Sequence, residues 1–538
     1  MRSATWYRKR PRPFTPHEEA QLLRLITEVA ALTACAPDDL TRLLRRYPKA
    51  DGQFAKDQLV AAYRQFCADG RLTFDPALLR RLQMKPVRTQ SGVATVTVLT
   101  KPFPCPGECI FCPTDARMPK SYLHDEPGAA RAEAHAFDPY ATTLGRLRAL
   151  ENIGHPTDKI ELLILGGTWS YYPADYQAWF LKRCFDALNG VEAATLADAQ
   201  RLNETAAHRN VGLVIETRPD YIDAAEVRRL RAYGVTKVQL GAQSLTDHLL
   251  DLNKRGHSVE QTRQAVHLLR SAGFKLHLHW MPNLLGATPD SDRADYARLW
   301  SDPGLRPDEL KIYPCALVRE ADLTAWWERG EYRPYTDAEL VALLADCLAQ
   351  TPRYARLSRV IRDIPAGHVV AGSTLSNLRE VVEKTLAAEG RRCECIRCRE
   401  VRGEPITNEV RLEAAVYATT AGSEHFLSYV TAADRLAGFL RLALPAPEAA
   451  AATGLDELRG AAVVREVHIY GPVVRLGESA RGEAQHLGLG ARLLQEAERR
   501  ARAAGYARLA VIAAIGTRAY YRKHGFELGE LYMTKALA

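Results

Sequence analysis

The rhythm of apolar and polar positions changes along the chain. Between residues 19 and 32 apolar side chains recur at helical spacing. Ahead of them, Thr15-Pro16-His17-Glu18 supplies a capping residue with proline at the first helical position. Residues 38–46 predict a second short helix. From Val93 the pattern turns to short β-rich runs at 93–100, 159–167, 211–218, 236–244, 275–282 and 309–315. Helix-length amphipathic stretches such as 174–188, 224–233 and 259–272 lie between them. Six strands, each followed by a crossover helix, predict a parallel sheet curled into a partial barrel. Further on, Arg353, Arg356, Arg359 and Arg362 recur every three residues and predict a basic helical stripe. Residues 442–454 read as an Ala/Pro/Gly-rich loop, followed by a strand at 463–470, a helix at 491–503 and a strand at 508–515.

Alternation within the barrel strands sorts the side chains onto two faces. In the fifth strand Leu276, Leu278 and Trp280 face the helices, which turns His277 and His279 into the lumen. In the fourth, Gln239, Gly241 and Gln243 point inward, and in the third Glu216 and Arg218 share a face. So polar a lumen predicts a ligand-holding cavity, with chemistry at the C-terminal strand ends. Gly166-Gly167-Thr168 closes the second strand, where glycines let a ligand approach the backbone.

The first strand leads into Cys105-Pro106-Gly107-Glu108-Cys109-Ile110-Phe111-Cys112. Three thiolates at C-x3-C-x2-C spacing can hold three irons of a [4Fe–4S] cluster and leave the fourth for a small chelator. The other readings are a zinc knuckle or scattered buried cysteines. Eleven cysteines in 538 residues, six of them within 105–112 and 393–398, favour metal and redox chemistry over a disulfide framework. Cys395 and Cys398 form a C-x2-C pair suited to zinc, with Cys315 as a third thiolate from a distance.

Composition narrows the class: 47% hydrophobic and 25% charged residues describe a globular protein, and the sequence offers neither a membrane span nor a signal peptide. The net charge of +8 is gathered in Arg8, Lys9, Arg10, Arg12, Arg42, Arg45, Arg46 and Lys49, and again from Arg353 to Arg402. Each basic tract is either a solvated surface or a phosphate contact.

Near the C-terminus, Gln485-His486-Leu487-Gly488-Leu489-Gly490 opens a helix whose free amides suit a pyrophosphate. With the preceding strand and Tyr521-Arg522-Lys523-His524-Gly525-Phe526 after it, this half resembles a GNAT-type acetyltransferase. The whole of residues 85–538 then resembles the Elongator catalytic-subunit family in its single-chain prokaryotic form. The matching stretches are 101–113, Gly166–Thr168, Ile215-Glu216-Thr217-Arg218-Pro219-Asp220, 241–244 with Arg255-Gly256-His257, Arg362-Asp363-Ile364-Pro365, 466–471 and 516–523.

That resemblance implies an α/β protein: a partial (β/α)6 radical S-adenosylmethionine (SAM) barrel and a GNAT-type α+β domain. The expected units are a basic helical tRNA-binding region (1–85), the barrel (86–385), a cysteine-rich zinc linker (386–405) and the acetyl-CoA domain (406–538). It implies carboxymethylation of carbon 5 of the tRNA wobble uridine, with two carbons from acetyl-CoA and a SAM-derived 5′-deoxyadenosyl radical. Cys105, Cys109 and Cys112 would hold the cluster, and Cys315, Cys395 and Cys398 zinc. Gly166, Gly167, Thr168, Glu216 and Gln243 would hold SAM. Lys159, Glu466, Val467, His468, Ile469, Leu489, Gly490, Ala491 and Tyr521 would bind acetyl-CoA, with Tyr520 and Tyr521 at the reacting end. The basic tracts would hold the anticodon stem-loop, in a cytoplasmic protein free to form a homo-oligomer. The alternatives are a protein lysine acetyltransferase with the barrel as scaffold, in which Glu466 would serve as base, and a tRNA-binding scaffold without turnover.

Overall fold

The computed structural model describes residues 14–32, 37–49, 52–83, 89, 92–361, 364–402, 406, 409–470 and 488–537. Arg8, Lys9, Arg10, Arg12, Arg362, Asp363, Gly471 and Gln485 to Leu487 lie outside the described residues.

The N-terminal helices form their own core. Thr15 and Glu18 close a reciprocal capping box on helix Pro16–Ala31. The buried stripe Leu22, Leu25, Ile26 and Val29 packs with Leu59, Val60, Tyr63 and Phe66 of helix Lys56–Ala68. Helix Pro37–Arg46 leaves Arg42, Arg45 and Arg46 exposed.

Two seven-stranded sheets dominate the rest, with a small two-stranded sheet of Leu317–Val318 and Val369–Ala371 beside the first. The strands of the first are β1 (Ala94–Leu99), β2 (Lys159–Leu165), β3 (Arg209–Thr217), β4 (Lys237–Gln243), β5 (Lys275–Trp280), β6 (Glu309–Ile312) and β7 (Arg356–Arg359). They pair side by side in chain order, all parallel. Leu276, Leu278 and Trp280 bury against the helices, so β5 has the face assignment that alternation requires.

β7 corrects the sequence reading. Arg356 to Arg359 run as a seventh barrel strand rather than as part of a helix. The basic tract around it is also largely spoken for. Arg353 pairs with Asp434, Arg356 with Glu400, Arg391 with Asp346 and Glu389, and Arg399 with Asp434. Acids brought in by folding neutralise arginines that look unpaired along the chain, so this tract is a structural ion-pair surface more than a free phosphate contact.

The second sheet contains β8 (Arg411–Thr419), β9 (Gly422–Val430), β10 (Leu436–Pro445), β11 (Ala461–Ile469), β12 (Arg508–Val511), β13 (Glu527–Leu528) and β14 (Met533–Ala536). Its order is β8-β9-β10-β11-β12-β14-β13, antiparallel except for the β11–β12 pair. Here too the sequence reading needs correction: residues 442–454 end β10 and form helix Pro447–Ala452 instead of a loop, because Leu440 and Leu442 pack in the sheet core.

The second sheet docks beneath the barrel. Its contacts fall on residues just ahead of the barrel strands: Ile515 against Gly234, Val463 against Gly273, and Arg465 onto Asp308. The cysteine loop follows β1, at the opposite end. Among the described residues no helix is long and apolar enough to cross a membrane.

Candidate active site

At the upper rim the cysteine loop is packed into the protein. Cys109 is 4% exposed, and Ile110 and Phe111 join it in a small core with Leu284, Leu285 and Leu317. A hydrogen bond from Cys112, helped by the Arg255 and Arg218 guanidiniums, draws the Cys109 thiol down to about 5 against the opposing effect of burial. Cys105 lies 3.8 Å from the Thr168 hydroxyl. Gly166 and Gly167 both take positive φ, and a Cβ on Gly166 would sit 2.2 Å from Thr100 Oγ1. Strand β2 can turn over the loop here only with glycine.

The donor set fits a polynuclear cluster with an open iron. The loop offers three sulfurs, while Arg218 Nη1, both His257 ring nitrogens and Gln243 Oε1 are buried without partners. Polar atoms so placed are made for something that the protein alone does not supply.

Below the loop runs a single cavity of about 840 Å³. It begins at Cys112 and Gln243, passes Glu216, His279 and Lys311, and reaches Glu466 and His468 of the second sheet and Tyr521 of helix Arg518–Arg522. Strand alternation thus places His277, His279, Gln239 and Glu216 where the sequence predicts. Arg218 lies beyond the strand end, forked onto Asp220 with Nε and Nη2 each at 2.9 Å.

Within the lumen His279 Nε2 is 3.0 Å from Gln239 Oε1, to which Lys311 also donates. His277 Nε2 meets Ser358 Oγ at 2.8 Å, and its Nδ1 stands 3.2 Å from Glu309. Burial lowers the His277 pKa against the opposing pull of Glu309.

Lower down, Lys275 bridges Glu309 (2.7 Å) and Glu466, and Arg441 donates to Glu466 Oε2 at 2.9 Å. Asp308 accepts from Arg465 at 2.6 and 2.9 Å and lies 3.3 Å from Arg441. Lys275–Glu466, Arg465–Asp308 and Arg441–Asp308 join the two sheets, and Asp308 with its two arginines is out of water. The sequence reading missed them, although Arg441 in an apolar strand and Arg465-Glu466 in another were the available signal: charges inside a buried strand need partners.

In the second sheet β11 and β12 pair only as far as Val464↔Val511 and then diverge. Glu466 to Ile469 keep their pairing to β10 and leave the other edge open. Helix Leu489–Ala503 starts from Gly488 in the left-handed conformation, with no side-chain cap. Leu489 is fully buried, so it can offer only its backbone, as can Gly490 and Ala491 beside it. Gly490 leaves room for the Tyr520 hydroxyl, 2.7 Å from where a Cβ would stand. Tyr520 is 39% exposed and lies outside the cavity lining, while Tyr521 is buried and lines it. Lys159 shares a strand face with Glu161, Leu163 and Leu165, all three of which line the cavity. Burial lowers its pKa.

Cys395 and Cys398 meet Cys393, the three sulfurs lying within 4.8 Å of one another. Cys315 does not join them. It sits in the core beneath the cysteine loop beside Tyr332, where burial raises its thiol to about 12. The third sulfur that the fold brings beside Cys395 and Cys398 is that of Cys393, which the local turn Cys393–Cys398 delivers without help from the barrel.

A partial parallel barrel with a C-x3-C-x2-C loop at its mouth defines the radical SAM class. Residues 104–298 match the Radical SAM superfamily, and residues 307–388 its C-terminal domain. A tRNA uridine(34) acetyltransferase of Dehalococcoides mccartyi is 45% identical over 457 residues, covering 84% of this chain and 99% of that protein. Elongator complex protein 3 of Danio rerio is 37% identical over 480 residues, covering 86% and 87%. The solved structure of Methanocaldococcus infernus Elp3 lacking residues 1–46 superimposes with a TM-score of 0.72 at 38% identity, over 83% of this chain and 99% of that one. The chain belongs to the family formed by Elongator complex protein 3 and the tRNA uridine(34) acetyltransferases.

Proposed function

We propose that the chain carboxymethylates carbon 5 of the wobble uridine of tRNA, drawing the added carbons from acetyl-CoA. The observation that carries this reading is the single cavity linking the cysteine loop to the diverging β11–β12 edge. Two reactants entering from opposite ends of the barrel would meet inside it, sheltered from water.

Cys105, Cys109 and Cys112 would hold a [4Fe–4S] cluster. With SAM bound and one electron taken from an external reductant, that cluster would supply a 5′-deoxyadenosyl radical and release methionine. The Gly166–Thr168 backbone, Glu216 and Gln243 would seat the SAM. The open edge of Glu466–Ile469 would pair with the pantetheine amides as an added strand does. The amides of Leu489, Gly490 and Ala491 would receive the pyrophosphate, with Lys159 near the lower end of the lumen. Burial raises the Tyr521 pKa, which keeps its hydroxyl a proton donor toward the thioester. On helix Pro37–Arg46, Arg42 and Arg46 pair at the surface with Asp39 and Glu28, and the exposed Arg45 would contact anticodon-stem phosphates. Cys393, Cys395 and Cys398 would hold zinc; one zinc per chain, lost on Cys395→Ser, is the expected metal analysis. We place the 409–537 sheet as the acetyl-CoA domain and the protein in the cytoplasm with its substrate.

A protein lysine acetyltransferase needs a base for the amine, and Glu466 is locked between Lys275 and Arg441. The deciding experiment incubates reconstituted protein with tRNA, SAM, reductant and labelled acetyl-CoA, then digests the RNA for mass spectrometry. Label in a carboxymethylated uridine is expected. Label confined to protein lysines overturns the proposal.

A further inference from the structure

Two buried guanidiniums stand against the cysteine loop. Arg255 is 6% exposed. Its Nη1 donates to Cys109 Sγ at 3.4 Å and its Nη2 to the Gly241 carbonyl at 2.7 Å. A Cβ on Gly241 would stand 2.6 Å from Nη2, so β4 gives up a side chain to seat this cation. Arg218 is 4% exposed, with Nη1 buried and unpartnered, and a Cβ on Gly107 of the loop would stand 2.2 Å from that nitrogen. Two arginines thus have two glycines making way for them, one on a barrel strand and one between the cysteines.

Their charges differ in effect. Arg218 is cancelled in part by the carboxylate of Asp220. Arg255 directs Nη1 to a sulfur and Nη2 to a carbonyl, and its Nε is buried without a partner, so no hydrogen-bonded carboxylate offsets its charge.

We propose that Arg255 is a positioning residue that sets the electron affinity of the cluster held by Cys105, Cys109 and Cys112, with Arg218 adding a weaker field of the same sign. The inference rests on the cluster reading above. When a cluster takes up one electron, its thiolate assembly becomes more negative by one charge. A fixed cation in a dry site, donating to a ligand sulfur, stabilises that reduced state more than the oxidised one. Arg255 would therefore make the reduction easier, and its loss harder.

The test uses the full chain, anaerobically reconstituted and free of SAM, with iron and sulfide counted per chain before measurement. The readout is the reduced-to-oxidised ratio by electron paramagnetic resonance at a fixed reductant poise. Arg255→Gln with a full complement of iron should lower that ratio about tenfold, equal to about 59 mV for a one-electron couple. Arg255→Lys, which keeps the charge and loses the fork, should lower it less. Arg218→Gln should shift it in the same direction by less than Arg255→Gln. Ratios equal to wild type in fully loaded variants overturn the proposal, even where SAM binds more weakly, because Arg255 would then be a partner of SAM. So does an Arg255→Lys ratio as low as that of Arg255→Gln, since charge would not be the cause. If Arg255→Gln fails to load iron, wild-type ratios in both Arg255→Lys and Arg218→Gln overturn it. A wild-type chain that binds no iron instead overturns the cluster reading itself.

Discussion

Two buried aspartates mark the two ends of the barrel, and their carboxyls are pushed in opposite directions. At the lower end Asp308 is fully buried against Arg465 and Arg441, and those cations hold it well below the usual carboxylate range despite its burial. At the upper end Asp292 accepts from the Asn283 amide and the Tyr335 hydroxyl, both at 2.8 Å. Burial raises it to about 7. At the lower end, beside the stretch of cavity that reaches Glu466, the chain supplies buried charge pairs of its own. The upper end keeps unmatched polar atoms around the cysteine loop, as a site prepared for cofactors must. Buried charge pairs tie the two sheets together at the lower rim, whereas the upper rim leaves buried polar atoms around the cysteine loop without partners.

The largest effect expected from this contrast is at the upper rim. Cys109→Ala removes a cluster ligand and should abolish both iron loading and 5′-deoxyadenosine formation. The urea midpoint should barely move, because the deletion is small and the lower rim is intact. A variant that unfolds would show the loop to be structural and would erase the distinction between the rims.

At the lower rim the expectation is reversed. Arg465→Met leaves Asp308 and Glu424 short of a buried partner, and losing half of such a pair costs about 3–5 kcal/mol. Denaturant melts should show this loss with the iron content of folded protein unchanged. A change below about 1 kcal/mol would mean that the network is wet and the rim open.

How much of this contrast was legible in the sequence follows from the same physics. The upper rim could be read because its elements are local: three cysteines within eight positions, a Gly-Gly-Thr at one strand end, and histidines on alternate positions of one strand. The lower rim depends on partners far apart in the chain, such as Arg465 with Asp308, 157 residues away. β7 was misread for a related reason. Arg356 and Ser358 turn into a polar lumen, so the strand carries almost none of the apolar signal that marks its neighbours. Cys315 is near a strand end, but its side chain is packed beneath the loop with Tyr332, away from the sulfurs of Cys393, Cys395 and Cys398.

The pH dependence of stability separates the rims next. Asp292 holds a proton in the folded chain between its unfolded value near 4 and its folded value of about 7. The folded state therefore binds more protons in that window, and stability falls as pH rises through it, by on the order of 1.4 kcal/mol per unit at most. Asp308 has the opposite sign: its contribution is present above an unfolded value near 4 and is lost as pH falls below it. Asp292→Asn should flatten the urea-midpoint slope between pH 5 and 7 and leave the acid limb unchanged. An unaltered slope in that variant would remove Asp292 from the account.

The smallest expected effect uses the same docking interface at its edge. Arg228 of the barrel pairs with Glu530 of the second sheet, as Arg465 pairs with Asp308, but the two side chains are 48% and 62% exposed. Water already solvates both charges, so the pair competes with hydration and gains little. Arg228→Ala should change stability by less than about 1 kcal/mol, and salt should reduce even that. Set beside Arg465→Met, it varies burial while keeping the kind of contact between the same two bodies. If the exposed pair proved as costly to break as the buried one, docking would depend on charge matching alone, and desolvation at the lower rim would have no part in it.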